Sequence, residues 1–389
     1  MDINFKDYLQ NDILPFWMKN AIDYENGGIY NFIDREGNIY GKEKNVWFTG
    51  RAMWTFAKAY NFIEKKEEYL KIAKHMYEFL PKCTDTDSRM FFIATADGKE
   101  LLKRDYYYSE TFAAAGCAEL YKATADEEVM KKAEFYFNTA YDLYKNPAYY
   151  ELEYNSKNAP FKSLAPSMIM LNTALIMLST GKSTDRYKKI TEECANEIIH
   201  GGYLNYELGV LLERVTVDGK FYDSPYTREV NPGHSLECAW FLLSAGLVLE
   251  NDEFLKAGRD IIDLMLECGV DKEHGGIIAF ADALGKPSTY LEWNMKIWWP
   301  QCEAIIATAL AYNIFNDEKY QVKHKELLDY AFKYYPDKEF GEWYGYLNYD
   351  NTLANTLKGN ISKGPFHLPR MIMILSALQT DGNIKRFLK

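Results

Sequence analysis

The stretch GHSLECAWFLLSAGLVLENDEFLKAGRDIIDLMLECG, residues 233–269, contains two helical patterns joined by a very short turn. Apolar residues recur at helical spacing over 233–249 and again over 251–269, with one residue between the two runs. Helices joined so tightly lie antiparallel and pack against each other. This helical hairpin is the unit from which we predict the fold.

Ten further segments show helical spacing, whereas no alternating run is long enough for a substantial sheet. Numbered along the chain, segments 2 and 3, 4 and 5, and 10 and 11 are also joined by only a few residues. The twelve segments lie near residues 3–20, 47–63, 66–82, 107–123, 125–146, 164–180, 184–199, 233–249, 251–269, 297–314, 316–335 and 366–379.

The other connections are long and share a theme. ENGGIYNF starts at Glu25, HGGYLNYEL at His200, EHGGIIAF at Glu273 and EFGEWYGYL at Glu339. Each places a turn signal before a few β-prone residues, which predicts a small β-hairpin. A recurring unit of helix, hairpin and helix indicates an internal repeat.

Six helical hairpins that close on themselves form an (α/α)6 barrel, with one helix of each pair lining the inside. We therefore predict an all-α fold with short β-hairpins in the long loops. It forms a single domain over residues 1–389, because we find no domain linker. A linear solenoid of the TPR type is the alternative, but the repeat lengths vary too much and no capping units are visible.

Composition excludes several classes of protein. The net charge is −11 without a basic cluster, which argues against nucleic acid and anionic membranes as partners. The opening MDINFKDYLQ lacks the order of a signal peptide, and no apolar run approaches the roughly 20 residues that span a bilayer. Six scattered cysteines without a CxxC pair indicate reduced core residues, so we expect a cytoplasmic protein.

Aromatic residues make up 16% of the chain, with 31 tyrosines and 8 tryptophans. A large aromatic core explains such a content. A polyhydroxylated ligand explains it too, because rings stack on the apolar faces of sugars while tyrosine and tryptophan donate hydrogen bonds.

Side chains capable of chemistry concentrate near the starts of even-numbered segments, with one asparagine inside segment 6. In a six-hairpin barrel the even helices form one ring and run the same way, so their N-termini surround one mouth. We therefore expect residues distant in sequence to converge on one site. These residues are Arg51, Glu110, Asn172, His234, Glu237, Glu303, His367 and Arg370.

A helix start disfavours positive charge. Arg51 and Arg370 each cost about 0.3–1 kcal/mol there, which suggests an offsetting role such as pairing with a glutamate or binding an oxyanion. A histidine at such a position tends to stay neutral and can accept a proton near pH 7.

Each candidate also has a structural interpretation. Glu303 beside Pro300 is also explained as a favourable first-turn carboxylate, and Glu237 as a residue that only orients His234. A lone histidine at a helix start is often a cap, and Trp299 is explained by packing alone. The chain has no HExxH motif or other metal-ligand spacing, so we expect no metal site.

NPGHSLECAW, KIWWPQCEA, GEWYGYL and KGPFHLPR resemble the N-acylglucosamine 2-epimerase family. The resemblance runs from ILPFW and ENGGIY near the start to the closing FHLPR, and these motifs in this order are specific. It implies an (α/α)6 barrel with His234 and His367 as the two catalytic histidines. The residues that it implies line and support the sugar site are Arg51, Glu237, Glu303 and Arg370.

Two motifs, NPGH and WWP, look more like the N-acylglucosamine 2-epimerases than the cellobiose 2-epimerases of the same superfamily. This favours interconversion of N-acetylglucosamine and N-acetylmannosamine. KGNISKGPFH and residues 147–165 depart from the family pattern. We add Glu110, Asn172 and Trp299 to the candidate substrate-binding set.

The implied chemistry explains two histidines. Inverting C2 requires an open-chain sugar, removal of the C2 proton, stabilisation of the enolate oxygen and return of a proton to the opposite face. We expect His234 and His367 to flank C2, Arg51 and Arg370 to stabilise the charge on O1, and Glu237 and Glu303 to orient the histidines. The expected partner is a small-molecule amino sugar, and no cofactor is expected. Dimerisation is common for this fold, so a homodimer is expected, although no segment locates an interface.

Other functions stay open at this stage. An aldose–ketose isomerase, or a cellobiose or mannose 2-epimerase, has the same fold and forms an enediolate by the same loss of the C2 proton. An (α/α)6 glycoside hydrolase needs a pair of carboxylates, which Glu110, Glu237 and Glu303 can supply. A non-catalytic sugar-binding protein is a further alternative.

Overall fold

The computed structural model describes residues 3–103, 107–146 and 161–389. Short helical turns over Phe5–Tyr8 and Leu9–Ile13 lead into the first helix of the barrel. The helices are α1 (Leu14–Asn20), α2 (Val46–Lys58), α3 (Glu67–Phe79), α4 (Tyr108–Thr124), α5 (Glu127–Tyr144), α6 (Leu164–Leu178), α7 (Thr184–His200), α8 (Pro232–Leu249), α9 (Asp252–Cys268), α10 (Trp298–Phe315), α11 (Glu318–Tyr334), α12 (His367–Asp381) and α13 (Lys385–Leu388).

The even-numbered helices form the inner ring. Neighbours pack in the order α2, α4, α6, α8, α10, α12, and most of their residues are buried. Their sequences are accordingly apolar on all sides. α12 closes the ring on α2, because Thr55 Oγ1 donates a hydrogen bond to the Pro365 carbonyl at 2.7 Å and the rings of Trp54 and Phe366 lie 5.3 Å apart.

The outer layer covers this ring with amphipathic helices. α3, α5, α7, α9 and α11 each pack on the inner helix that precedes them in the chain. The sixth outer position is filled by residues 5–13, which pack on α12. Gln379 Nε2 of α12 also donates a hydrogen bond to the Ile3 carbonyl at 3.0 Å. Residues 5–13 and α12 therefore form the sixth pair of the barrel.

Tight turns join inner to outer helices at one end of the barrel. Ala125, Glu250 and Asn316 adopt left-handed backbone conformations directly after α4, α8 and α10. The next residue is an Asp or Asn whose side chain caps the following helix. The short joins predicted from sequence are confirmed, and α6 and α7 are joined by a similar turn around Gly181.

Long loops at the other end contain paired strands of two or three residues, as predicted. Strands that directly precede α2, α6, α8 and α10 pair with strands of the next long loop, so neighbouring loops hold one another. The strands are β1 (Phe32–Ile33), β2 (Ile39–Gly41), β3 (Lys44–Asn45), β4 (Ile93–Ala94), β5 (Glu100–Leu102), β6 (Phe161–Ser163), β7 (Leu204–Asn205), β8 (Val210–Leu211), β9 (Arg214–Thr216), β10 (Glu229–Val230), β11 (Ala281–Asp282), β12 (Lys296–Ile297), β13 (Tyr346–Leu347) and β14 (Leu353–Asn355).

A buried ion pair recurs beneath these loops. Asp23 binds Lys44 at 2.6 Å, and Asp337 binds Lys358 at 3.1 Å, with all four side chains buried. Asp271 and Lys296 form a third buried pair. The three aspartates precede the related stretches ENGG, EHGG and EFGE. The repeat noticed in the sequence is therefore a repeated anchor for the loops at the mouth.

The predicted (α/α)6 barrel is confirmed. Within the described residues, no helix combines the length and the apolar character needed to cross a membrane. Most of the 147–165 stretch, namely residues 147–160, lies outside the described residues.

Candidate active site

The sequence NPGH starts α8, and its residues have structural reasons. Asn231 Oδ1 caps the helix by accepting a hydrogen bond from the His234 amide at 3.1 Å. Pro232 occupies the first turn, where a missing N–H costs little. A Cβ at Gly233 would lie 2.6 Å from the Trp299 ring. Glycine therefore lets that ring pack against the start of α8.

His234 lies at the rim of the mouth, with one third of its side chain exposed. Its Nδ1 lies 3.3 Å from both carboxylate oxygens of Glu213, and its ring centroid lies 5.2 Å from that of Trp299. Because the carboxylate accepts from Nδ1, Nε2 is the nitrogen left for a ligand.

His367 starts α12 and is buried. Its Nδ1 lies 2.7 Å from Glu303 Oε1, and its ring centroid lies 5.5 Å from that of Trp299. The same indole therefore contacts both imidazoles. Each imidazole has its Nδ1 on a carboxylate, which again leaves Nε2 free for chemistry.

Arg370 ties two buried glutamates together. Its guanidinium donates to Glu303 Oε1 at 2.8 Å and also to Glu237 Oε1. Trp240 Nε1 donates to the other oxygen of Glu303 at 2.7 Å. Burial raises the pKa of Glu303, while Arg370 and Trp240 act in the opposite direction. The positive charge that the sequence placed unfavourably at a helix start is offset by pairing, as expected.

The pKa values of the two histidines are shifted in opposite directions. Burial by itself lowers the pKa of His234, but Glu213, followed by Glu237 and Glu229, raises it above the usual value. Burial lowers the pKa of His367 well below the usual value, although Glu237 opposes the shift. The direction of the shift agrees with our expectation of a neutral histidine at His367 and is opposite to it at His234.

Arg51 faces the same region from α2. Its guanidinium lies 4.2 Å from the centre of the Phe112 ring and 5.0 Å from that of Phe366. Burial lowers its pKa to about 10, and Arg370 adds to the effect while Glu237 opposes it. Within the described residues its buried Nε has no hydrogen-bond partner. Arg370 also has a buried Nε without a partner, but its Nη2 binds two carboxylates, whereas Arg51 forms no ion pair within the described residues.

Two candidates lie apart from this group. Glu110 accepts hydrogen bonds from Arg89 Nε at 2.7 Å and from the Met90 amide at 2.9 Å, so it holds the loop before α4. Asn172 lines a cavity of about 420 Å³ that reaches from Arg370 towards the C-terminal ends of the inner helices. The contacts therefore connect neither side chain with the two imidazoles.

The carboxylate on His234 is the residue that sequence reasoning missed. We expected Glu237 to orient His234 from one turn away, but Glu237 binds Arg370 and Glu213 takes that position. Glu213 directly precedes β9 instead of starting a helix, which is why it escaped notice. A lone carboxylate in the apolar run VLLERV was the available signal.

Three potential metal ligands meet in this region. Oxygen and nitrogen atoms of Glu237, Glu303 and His367 lie within 4.8 Å of one another. Arg370 already binds both carboxylates, so a side chain supplies the positive charge that a cation would bring. These residues do not fit a metal ion without displacing Arg370.

The protein is an (α/α)6 barrel with two histidines and their carboxylate partners at one mouth. The chain belongs to the N-acylglucosamine 2-epimerase (GlcNAc 2-epimerase) family, whose sequence profile matches residues 27–366. It is 33% identical to N-acylglucosamine 2-epimerase of Rattus norvegicus, over 95% of this chain and 90% of the rat protein. It is 25% identical to cellobiose 2-epimerase of Dictyoglomus turgidum, over 94% and 96% of the two chains.

The fold also matches a solved structure. Cellobiose 2-epimerase from Bacillus thermoamylovorans superposes with a TM-score of 0.84 over 96% of this chain and 97% of that one, at 22% identity. This likeness supports the (α/α)6 barrel.

Proposed function

We propose that this protein interconverts N-acetylglucosamine and N-acetylmannosamine by removing and returning the proton at C2 of the open-chain sugar. The observation that carries the proposal is the pair of imidazoles against one tryptophan, each with its Nδ1 on a carboxylate. Two proton-transfer groups suit a reaction in which a proton leaves one face of a carbon and another proton is added to the opposite face.

The reaction follows from the chemistry of C2. The C2 proton is acidic only when C1 is a carbonyl, so the sugar reacts in its open form. One histidine Nε2 takes the proton while the electron pair moves to O1, giving an enolate that keeps the acylamino group on C2. The other histidine Nε2 returns a proton to the opposite face. His234 and His367 exchange these roles when the reaction runs backwards.

Arg51 is the residue that we assign to the developing charge on O1. Its guanidinium forms no ion pair within the described residues and its buried Nε has no partner, whereas the guanidinium of Arg370 binds both Glu237 and Glu303. A buried donor aimed at a developing oxyanion contributes a few kcal/mol to catalysis, typically about 3–4. Arg370 and Glu303 instead hold His367 in place.

The substrate class rests on the relatives. The rat N-acylglucosamine 2-epimerase is more similar in sequence than the Dictyoglomus cellobiose 2-epimerase, at 33% against 25% identity. This favours an N-acylated amino sugar over a neutral disaccharide. A hydrolase needs two free carboxylates, and Arg370 already pairs with both Glu237 and Glu303.

The test is an incubation with N-acetylmannosamine in D2O, followed by proton NMR. We expect N-acetylglucosamine with deuterium at C2. Conversion without deuterium would contradict proton exchange at C2. Reaction with cellobiose or mannose but not with the amino sugar would keep the chemistry and replace the substrate.

We also propose that the protein is cytoplasmic and forms a homodimer. Its six cysteines are free thiols, five of them buried, which suits a reducing compartment. Fractionation of cells and light scattering of the purified protein test the two statements.

A further inference from the structure

We infer that Glu213 is the positioning residue that prepares His234 to donate a proton while His367 accepts one. The inference rests on the proposed epimerisation, because it assigns the starting roles of the same two histidines. Its basis is a direct contact, since both oxygens of the Glu213 carboxylate lie 3.3 Å from Nδ1 of His234.

The backbone around Glu213 is held on both sides. The Glu213 carbonyl accepts a hydrogen bond from the Leu164 amide at the start of α6, at 3.0 Å, and the Leu212 amide donates to the Tyr203 carbonyl at 2.8 Å. The following strand, β9, pairs along its whole length with β6. Glu213 is therefore fixed relative to the start of α6 and presents its carboxylate at a defined position.

No arginine or lysine of the described residues forms an ion pair with the Glu213 carboxylate, although the charge of Arg214 acts on it at longer range. The neighbouring Arg214 binds Glu229 at 2.9 Å, and the Glu213 carboxylate has His234 as its ion-pair partner. Glu213 is largely buried. A buried carboxylate is costly unless a positive charge compensates it, so this environment favours the imidazolium form of His234.

The charged and titratable groups that face His234 come from four elements. Glu213 precedes β9, Glu237 follows on α8 itself, Glu229 lies on β10, and His367 starts α12. Three of the four are carboxylates. At His367, by contrast, the contacting carboxylate Glu303 is shared with Arg370.

This difference matches what the first half-reaction requires. At the start, one histidine must be a protonated imidazolium, which acts as the donor, and the other must be a neutral imidazole. Nε2 of neutral His367 takes the C2 proton as the electron pair moves to O1, and Nε2–H of His234 gives its proton to the opposite face of C2. One proton is taken and one is given, so the proton count balances. Proton exchange with water then restores the starting form.

The test compares Glu213→Gln with Glu207→Gln. The first removes the charge beside His234 and keeps a hydrogen-bond acceptor. The second makes the same change at an exposed glutamate between β7 and β8. The measurement is kcat/KM for epimerisation between pH 5 and 10.

We expect Glu213→Gln to move the alkaline limb of the profile to lower pH by about one to three units, because a neighbouring charge of this kind shifts a pKa by that amount. Glu207→Gln should leave the limb in place. A Glu213→Gln variant that loses activity equally at every pH, without a shift of the limb, would show a merely structural role and overturn the inference.

A second measurement needs neither turnover nor the variant. The Cε1–H signals of the six histidines are titrated by NMR in the free protein, and those of His234 and His367 are assigned by His→Asn substitution. We expect His234 to titrate at higher pH than His367, and the reverse order overturns the inference. Because this readout requires no substrate, a failure of the proposed sugar reaction is distinguishable from a failure of the role of Glu213.

Discussion

His234 and His367 begin two inner helices at the same mouth and contact the same indole, yet their surroundings differ in charge. His234 is partly exposed and faces a carboxylate that it does not share with a cation. His367 is buried, and its carboxylate also binds Arg370. Carboxylates outweigh burial at His234 and burial prevails at His367, so equivalent places in the barrel have pKa shifts of opposite direction. The fold supplies the positions, and the local surroundings of each histidine supply the difference in pKa.

The largest effect on activity is expected from removing either histidine. We expect His234→Asn and His367→Asn each to lower kcat for epimerisation by about 10²–10⁴, because each removes a proton-transfer group. In D2O each variant should still exchange the C2 proton of one epimer, and the two variants should serve different epimers. NMR of both sugars with both variants checks this pattern. Wild-type turnover in both variants would end the two-base proposal.

Removing Arg370 should make His367 resemble His234. Arg370→Gln leaves Glu237 and Glu303 without their buried cation, which destabilises the fold by about 3–5 kcal/mol. In the surviving folded protein, the pKa of His367 should rise, so the acid limb of kcat/KM moves to higher pH by about one to three units. Urea unfolding and the pH profile measure the two effects.

The control is Arg186→Gln on the exposed face of α7, where the guanidinium binds Asn138. It should change neither quantity appreciably. An Arg370→Gln variant with an unmoved acid limb would contradict the view that this arginine helps burial to lower the pKa of His367.

The opposite pKa shifts should also affect how the free energy of unfolding depends on pH. Because the folded-state pKa of His367 is depressed, the unfolded chain takes up a proton near pH 6.5 that the folded protein refuses. Stability from this group is therefore present above pH 6.5 and falls by about 1.4 kcal/mol per pH unit below it. His234 has the opposite sign, and its contribution is lost as pH rises through its raised pKa.

Urea unfolding at pH 5.5, 6.5, 7.5 and 8.5 tests these signs. His367→Asn should weaken the pH dependence of the unfolding free energy below pH 6.5. His234→Asn should weaken it on the alkaline side. His324 lies on α11, outside the mouth, and burial lowers its pKa too. His324→Gln should therefore also flatten the acid side. A response of His324→Gln on the alkaline side would contradict the burial argument.

The smallest effect is expected at the element that the two histidines share. Trp299→Phe keeps an aromatic ring but reduces its contact with both imidazoles. We expect kcat/KM to fall by about two- to twelvefold, equivalent to about 0.5–1.5 kcal/mol, with both limbs of the pH profile unmoved. Trp293→Phe, at a partly exposed ring, is the matched control. A shifted limb would mean that the indole, and not the carboxylates, sets the proton affinities.

The sequence predicted the barrel because helical periodicity and short turns are local signals. The turn residues Ala125, Glu250 and Asn316 sit next to capping Asp or Asn residues, so each hairpin is encoded within a few positions. Convergence of the helix starts then followed from the direction of the inner helices. That argument placed His234 and His367 correctly at one mouth.

Contacts between elements could not be obtained in this way. Glu213 meets His234 across 21 positions of sequence, and its place depends on contacts with distant segments, namely the pairing of β9 with β6 and the hydrogen bond from the Leu164 amide. Glu110 starts an inner helix as predicted, but Arg89 binds it from the preceding loop. Asn172 lies eight residues into α6, about 12 Å below the mouth at the usual helical rise.

The closure of the barrel by residues 5–13 against α12 has a consequence for chain topology. The helices follow one another in a circle, and the hydrogen bond from Gln379 to Ile3 joins the first helical turns to the last inner helix. A circularly permuted chain, opened at the tight turn before Asn251 and linked across the present ends, would keep the same neighbours. In such a chain α8 would come last and α10 early, while the two imidazoles faced the same indole.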